Sequence, residues 1–576
     1  MNAAVVLIVS IAVLITGYCT YGKWLEKTWG VDPSRETPSH ELEDGMDYVP
    51  AKAPVLMGHH FSSIAGAGPI NGPIQAAVFG WVPVLLWVLI GGLFFGGVHD
   101  FGALFASIRN KGQSIGEIIA DTMGAKAKKL FLTFAYLTLI LVVAAFASIV
   151  ASTFGTTSAA GTPIEEPTLS ANLSTAMISM LFIVLAIIFG ILVYRKNVPV
   201  SIATLIGIVG IVAIVAIGLA WHPVALSYNV WMWLIGLYIL VASVTPVWIL
   251  LQPRDYLSSF LLYFMVLVSI VAIIGATVTG TGNLNMPAFT GFTAPASNGL
   301  FTTGTMFPAL FVTIACGAIS GFHSLVSSGT TAKQINSEKD ARPIGYGAML
   351  IECVVAVVSI CAVGYVWKDA SAAESAFKSP TVVFATGISQ MLGSFTNTKL
   401  QSIMYQMLVL AVSVFCLTSL DTATRLARYM FQEFWLEKGQ TSKDATGYKK
   451  VLTNPYFATG ITVVMGILLG MTGYTKIWPL FGAANQLLAA LGLLAVCAWL
   501  GNVGRNNKMF YVPMVFMLAV TICSLVQTII AKLAVHDGWS LIQAGIAVLL
   551  VVLAGVLAVT TFQTLGKQKK SESKAA

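Results

Sequence analysis

Charged residues are scarce in this sequence. Only 10% of its 576 residues are Asp, Glu, Lys or Arg, whereas 57% are hydrophobic and the mean hydropathy is +0.83. This composition excludes a soluble multi-domain protein and predicts an integral membrane protein that crosses the bilayer repeatedly. The formal net charge of +8 lies in separate loops and not in one basic patch, so we expect no nucleic-acid partner.

Paired cysteines and enzyme motifs are also lacking. The seven cysteines stand almost singly within apolar runs, without a C-x-x-C pair, and we interpret them as small core residues. The sequence contains neither G-x-x-x-x-G-K-[ST] nor G-x-S-x-G, the motifs of a phosphate-binding loop and a nucleophile elbow. We therefore expect the chain not to be an enzyme and to use no organic cofactor.

Long apolar runs occupy most of the chain and predict an all-α polytopic membrane protein of about fifteen transmembrane helices. If these alternate from an N-terminus outside the cell, 27 of the 32 Lys and Arg residues fall on the inner side, as the positive-inside rule requires. The C-terminus is then cytoplasmic. The predicted segments are an additional N-terminal transmembrane helix (1–22), a cytoplasmic loop (23–57), a ten-helix core (58–422), a second cytoplasmic loop (423–453), and further transmembrane helices with a short basic tail (454–576).

The stretch from His59 to Pro73 lies at membrane depth, yet we do not expect it to form one helix. An unpaired carbonyl is costly in hydrocarbon, so a broken helix persists only where protein packs around the break or where it lines a polar cavity. Small-solute transporters bind substrates at such breaks, although a kinked contact between two close helices would show the same pattern. The helix-disrupting residues are Gly66, Gly68, Pro69, Gly72 and Pro73. The candidate substrate-binding residues here are His59, His60, Gly66, Gly68, Pro69, Asn71 and Gly72.

A second candidate break lies at Thr245-Pro246, within the apolar run over 228–251. It falls five predicted spans after the first break, and five plus five is the spacing of inverted-repeat transporters. We therefore predict an inverted 5+5 repeat core with broken helices. Thr245 and Pro246 join the candidate substrate-binding residues.

Several polar side chains fall at membrane depth, where an ionisable group is costly and marks a candidate functional site. Glu352 lies roughly 12 Å into the bilayer by helical rise, so it needs a neighbouring cation or a bound proton. The His99-Asp100 pair ends a glycine-rich run and could instead cap a helix. Hydroxyl groups near His323 offer oxygen ligands for Na⁺, or hold helices together. The candidate ion-coupling residues are His99, Asp100, Ser320, His323, Ser327, Ser328, Thr331 and Glu352.

Two further patterns are local. His59 and His60 are adjacent and point to different sides of a helix, so together with His99 they are only weak candidates for metal ligands. Asp421 precedes Arg425 by four residues, and this spacing predicts a salt bridge along one helix.

Several short motifs resemble the carbon starvation protein family (CstA), and they extend from about residue 25 to residue 500. The resemblance implies a leucine-transporter-like fold in a bacterial inner membrane, related to the amino acid–polyamine–cation superfamily, and import of pyruvate or peptides. Asn71 departs from the family pattern, in which an apolar Val or Leu is expected. The motifs are Asp47-Tyr48-Val49-Pro50, Gly58-His59-His60-Phe61, Ala65 to Pro69, His99-Asp100-Phe101, Gln252-Pro253-Arg254-Asp255-Tyr256, Gly321 to Thr331, Gly345 to Met349, Asp421 to Leu426 and Trp478 to Gln486.

These observations together predict a secondary active transporter, an ion-coupled symporter that imports small organic carboxylates such as pyruvate, or short peptides. The expected coupling ion is H⁺ or Na⁺, and the expected partners are the substrate and the lipid bilayer. One alternative is a membrane nutrient receptor that binds substrate and signals through the loop 423–453 without net transport. A metal-dependent membrane enzyme that uses His59, His60 and His99 is a third class.

Overall fold

The computed structural model describes residues 1–293, 304–367, 379–437, 440, 444–536 and 538–575, without the side chains of 567–575. Every regular element in these ranges is a helix. The first half contains α1 (Ala3–Gly17), α2 (Lys23–Trp29), α3 (Pro38–Glu41), α4 (Ala53–Ile64), α5 (Gly68–Ala76), α6 (Trp81–Gly91), α7 (Gly97–Arg109), α8 (Ile115–Met123), α9 (Ala125–Phe154), α10 (Thr168–Gly190), α11 (Val200–Ala220), α12 (Tyr228–Val244) and α13 (Leu251–Val278).

The described residues of the second half form another ten α-helices. They are α14 (Met306–Thr313), α15 (Gly321–Gly329), α16 (Ala348–Val366), α17 (Pro380–Gly393), α18 (Thr398–Trp435), α19 (Tyr448–Leu452), α20 (Pro455–Gly470), α21 (Tyr474–Asn502), α22 (Tyr511–Val535) and α23 (Gly538–Ala575). Short π-helical turns extend several of them, and the turn Gly92–Gly96 joins α6 to α7 into one span. Such turns are frequent at functional sites, and this one leads directly to His99 and Asp100.

Within the described ranges, eleven helices are long and apolar enough to cross a membrane, which makes this a multi-pass membrane protein. Two shorter apolar helices, α12 and α20, accompany them. The apolar window of α21 is entirely buried, whereas only 17% of that of α11 is buried. The helix α21 therefore lies at the centre of the bundle, and α11 lies at its periphery with its leucine, isoleucine and valine side chains exposed to lipid.

Two helices are interrupted inside the bundle. The first interruption separates α4 from α5 and spans only Ala65–Ala67, because Pro69 occupies the first turn of α5, where a missing N–H costs nothing. Pro73 lies inside α5, so the break is shorter than the predicted Gly66 to Pro73. The second interruption, Ile314–Ser320, separates α14 from α15 and contains one 3₁₀ turn.

The structure corrects several predicted boundaries. The run 228–251 is not a broken span: α12 is unbroken as far as Val244, and Thr245-Pro246 lie beyond its end. The two interruptions are thus not five spans apart. The first helix continues past residue 22 to Trp29, where Gly30 ends it in a left-handed conformation. The first part of the predicted loop 423–453 is helical, up to Trp435; its residues 438, 439 and 441–443 lie outside the described residues.

Candidate functional site

The two interrupted helices pack directly against each other. A Cβ at Gly72 would lie 2.7 Å from the Thr313 carbonyl oxygen and 2.9 Å from Cα of Ile314. A Cβ at Gly68 would overlap the side chain of Cys316. These glycines therefore allow α5 to approach the end of α14 at backbone distance, and their immediate role is packing, the alternative that the sequence left open.

A cavity of about 660 Å³ opens beside α5. Its walls come from α9, α10, α17 and α18 and from the segments 158–168 and 472–476, which belong to the predicted outer side. Of the candidate substrate-binding residues, Asn71 lines this cavity. Its side chain is 1% exposed, and neither atom of its amide group has a hydrogen-bond partner among the described residues.

A chain of two histidines and two carboxylates is buried beside the interrupted helices. Nδ1 of His99 lies 2.7 Å from Oδ1 of Asp100, and Nδ1 of His323 lies 2.7 Å from Oδ2. Nε2 of His323 lies 3.5 Å from Oε2 of Glu352. All four side chains are fully buried. The structure thus brings together four candidate ion-coupling residues from α7, α15 and α16.

The hydrogen-bond pattern of this chain identifies where a proton can bind. An ionised carboxylate only accepts hydrogen bonds, so when Asp100 is ionised both Nδ1 atoms that flank it carry hydrogen and donate to it. Nε2 of His323 then faces Glu352 across a gap slightly longer than a hydrogen bond. Neither oxygen of Glu352 has a hydrogen-bond partner among the described residues. Because an isolated buried carboxylate is costly, one proton shared between Glu352 and His323 stabilises the site.

The other candidate ion-coupling residues lie on or next to α15. Nδ1 of His60 lies 2.8 Å from the Thr331 hydroxyl oxygen, and Nδ2 of Asn485 lies 3.0 Å from the Ser320 hydroxyl oxygen. The Ser328 hydroxyl donates to the carbonyl of Ser324 in its own helix, the usual helix-internal role of such a hydroxyl. The side-chain hydroxyl of Ser327 has no hydrogen-bond partner among the described residues.

A second buried ionic network was missed by the sequence analysis. Nδ1 of His59 lies 2.7 Å from Oδ2 of Asp255, and the neighbouring Arg254 pairs with Asp421. The hydroxyl of Tyr238 donates to Asp421 over 2.6 Å. The predicted Asp421–Arg425 salt bridge is therefore wrong, because the partner of Asp421 comes from α13, 167 residues away. In the sequence, the charged pair Arg254-Asp255 at the start of an apolar span was the feature that could have indicated this network.

The remaining candidates lie apart from the cavity. The carbonyl of Thr245 accepts a hydrogen bond from Arg425, and its neighbour Pro246 begins the connection to α13. A Cβ at Gly66 would lie 2.9 Å from the Ser419 hydroxyl oxygen, and Pro69 is buried in the first turn of α5. Within the described part of the chain, no group of three or more His, Cys, Asp or Glu residues could hold a metal ion. His59, His60 and His99 each contact a different partner.

Residues 32–52, here called the inner strap, cover the predicted cytoplasmic side. The Tyr429 hydroxyl donates to Oδ1 of Asp47 over 2.5 Å, and Arg425 lies 3.6 Å from the same oxygen. Burial alone would raise the pKa of Asp47, but the charges of Lys333 and Arg425 and the Tyr429 hydrogen bond outweigh it and lower this pKa. Further contacts of the strap are Ser39 to the Ile335 carbonyl (2.7 Å), the Ala51 amide to the Gln334 carbonyl (2.9 Å) and Tyr48 to the Lys111 carbonyl (3.2 Å).

An all-helical, multi-pass membrane protein with interrupted helices beside a buried polar cluster has the architecture typical of membrane transporters. The chain belongs to the carbon starvation protein CstA family, whose model matches residues 2–376 and 366–524. This agrees with the resemblance found in its motifs.

Named relatives in the family are transporters. The chain is 33% identical to the peptide transporter CstA of Bacillus subtilis, over 86% of this chain and 84% of the relative. It is 33% identical to the peptide transporter CstA of Escherichia coli, over 91% of this chain and 80% of the relative. It is 31% identical to the pyruvate/proton symporter BtsT of Escherichia coli, over 90% of this chain and 81% of the relative.

The fold is similar to that of a solved structure of a manganese transporter from Eremococcus coleocola. The TM-score is 0.51 at 11% sequence identity, and the match covers 91% of this chain and 99% of the other. At this identity the likeness shows a shared fold alone.

Proposed function

We propose that this protein is a proton-coupled symporter that imports small organic carboxylates such as pyruvate, or short peptides, across the bacterial inner membrane. The observation that carries the proposal is the buried chain His99–Asp100–His323–Glu352 beside two interrupted helices. Groups that exchange protons at membrane depth are typical of proton-driven transporters. The names of the relatives, peptide transporter and pyruvate/proton symporter, support the substrate classes and the ion.

The proposed substrate site is the cavity beside α5. The N-terminal end of a helix carries partial positive charge and attracts a carboxylate. Asn71, in the first turns of α5, adds an amide that can form hydrogen bonds. A carboxylate is common to pyruvate and to a peptide C-terminus, so both classes of substrate fit this end of the cavity.

The proposed coupling runs through the contact between the interrupted helices. Asn71 belongs to α5, which packs through Gly72 on the end of α14, and α14 leads through the second interruption to His323 on α15. Loading or losing the proton at His323 and Glu352 changes the charge of a buried site, and therefore the position that α15 prefers. Substrate binding and proton binding would then favour the same movement of these helices.

We further propose alternating access by rocking of one helix bundle against another, with the N-terminus outside and the C-terminus cytoplasmic. The eleven candidate spans, together with two short apolar helices and two interrupted helices, support a count of fifteen transmembrane spans. We keep the inverted repeat as part of the proposal, but α4–α5 and α14–α15 are not five spans apart and are not assigned as its equivalent members. The cavity reaches the predicted outer loops while the inner strap covers the opposite side, an arrangement that suits substrate entry from outside.

The proposal is tested by uptake of radiolabelled pyruvate and of alanyl-alanine into proteoliposomes, with pH and Na⁺ gradients imposed separately. We expect an inward proton gradient to drive accumulation and a Na⁺ gradient alone to drive none. Accumulation that requires Na⁺ would overturn the proton coupling. Binding of either compound without accumulation under any gradient would overturn the transport function in favour of a receptor.

A further inference from the structure

The amide group of Asn71 is a buried hydrogen-bonding group without a partner. The side chain is 1% exposed, and neither its oxygen nor its nitrogen is hydrogen-bonded within the described residues. Leaving such a group unpaired destabilises a folded protein, and here the group lines a cavity of about 660 Å³. The wall of the cavity thus presents a donor and an acceptor to whatever occupies it.

Two other polar side chains on the same walls, Asn172 and Thr153, already have hydrogen-bond partners. Nδ2 of Asn172 donates to the carbonyls of Ser152 and Gly155 over 3.0 Å and 2.9 Å. The hydroxyls of Thr153 and Ser413 lie 2.7 Å apart and bond to each other. Asn172 and Thr153 therefore hold the walls together, whereas Asn71 is available to a ligand.

The chemistry of a primary amide restricts which ligand satisfies it. Asparagine offers N–H donors and a carbonyl acceptor side by side. In an extended peptide the N–H and the carbonyl of one residue face the same side, so a dipeptide can present its peptide N–H and a carboxylate oxygen together. A 2-oxo acid has no N–H at neutral pH, and it would leave Oδ1 of Asn71 buried and unpaired.

We propose that Asn71 is a specificity-determining residue that selects an amide-bearing substrate, a short peptide, over a 2-oxo acid. The inference rests on the proposed function, because it assigns the substrate class of the same cavity. The volume of the cavity favours it as well, since a three-carbon acid would leave most of about 660 Å³ unfilled. A site built to pair with a substrate N–H discriminates strongly against an analogue that lacks this group.

The test compares three ligands that differ in the peptide N–H group. They are alanyl-alanine, which has it, alanyl-N-methylalanine, whose peptide nitrogen carries no hydrogen, and pyruvate, which has no peptide nitrogen. Each competes with labelled alanyl-alanine for uptake by proteoliposomes. In the wild type we expect alanyl-alanine to bind about 10- to 100-fold more tightly than its N-methyl analogue. In Asn71→Leu, which keeps the branched shape of the side chain but has no hydrogen-bonding group, this ratio falls to about one.

The variants separate the possible outcomes. Thr138→Val, at a buried position of α9 that does not line the cavity, is the control and should keep the wild-type ratio. If Asn71→Leu does not fold, Asn71→Ser carries the test, because its shorter hydroxyl cannot reach both groups and the ratio should fall. A wild-type ratio of one, or a ratio that survives in these Asn71 variants, overturns the inference while uptake itself upholds the proposed function. If the wild type takes up none of the ligands, both fail.

Discussion

At the scale of single residues, this protein keeps charged groups out of water by pairing them in chains. Asp100 has a histidine Nδ1 at 2.7 Å from each of its two oxygens, so its charge is spread over two donors. Among the described residues, Glu352 has one ionic contact, with His323 at 3.5 Å, and neither of its oxygens has a hydrogen-bond partner. The group that gains most from a proton is therefore Glu352, and the proposed mechanism predicts that proton coupling depends on it most.

Removing the acidic proton of Glu352 tests this role. We expect Glu352→Gln to abolish accumulation driven by a proton gradient, because an amide cannot release a proton, and to retain exchange of labelled for unlabelled substrate at equal pH. The measurement is uptake into proteoliposomes under both conditions.

The matched control for this variant is Ser359→Ala on the same helix. The hydroxyl of Ser359 bonds only within α16, to the carbonyl of Val355, so this change should leave both modes of transport intact. Gradient-driven accumulation by Glu352→Gln at the wild-type level would show that the proton travels elsewhere.

At the scale of elements, the two interruptions act as one unit. Each half-helix ends inside the protein, where its free backbone groups need partners or a polar cavity. The close approach of α5 to the end of α14 depends on Gly72, which has no side chain to separate the two backbones. In the proposed mechanism, movement of α14 and α15 is transmitted through this contact to α5, the helix that bears Asn71.

Adding one methyl group at this contact tests the transmission. In Gly72→Ala the new Cβ would lie 2.7 Å from a backbone oxygen of Thr313, which cannot move aside as a flexible side chain can. We expect a lower melting temperature and slower uptake, both measured on the purified and reconstituted variant.

Gly460→Ala is the corresponding control, because Gly460 lies inside α20 and a Cβ there would meet nothing within 4 Å. Alanine favours a helix over glycine by about 1 kcal/mol, so this variant should be as stable as the wild type or slightly more stable. Equal behaviour of the two variants would contradict a special role for the contact at Gly72.

At the scale of the whole molecule, the inner strap packs across the predicted cytoplasmic side. It contacts the ends of α7 and α18 and the segment 333–338, so release of substrate to that side requires these contacts to part. Asp47 is central to the strap because Tyr429 and Arg425 both contact its carboxylate.

The charge of Asp47 determines how the strap responds to pH. The pKa of Asp47 is lowered in the folded protein. The contribution of its ionised carboxylate to the stability of the strap is therefore complete above the ordinary Asp pKa of about 3.9, and it is lost only as the pH falls through the lowered pKa. We therefore expect the rate of proteolysis within 32–52 to show no dependence on the state of this group between about pH 5 and 8. Asp47→Asn should be cleaved faster throughout that range.

The measurement is limited proteolysis of the purified protein, followed by mass spectrometry of the fragments. Glu43→Gln removes an exposed charge from the same strap and serves as the control, with cleavage at the wild-type rate. If Asp47→Asn resists cleavage as the wild type does, the strap is held by its backbone contacts alone.

The sequence by itself determined the membrane class, the helical fold, the family and an interruption near Gly66 to Pro73. Each of these follows from hydropathy, from motifs or from Gly and Pro, which act on their own neighbours in the chain. Only the tertiary structure decided the second interruption at Ile314–Ser320, which contains no proline. It also decided that Arg254 is the partner of Asp421 and that His323 joins Asp100 to Glu352, because contacts across 167 or 223 residues leave no local pattern.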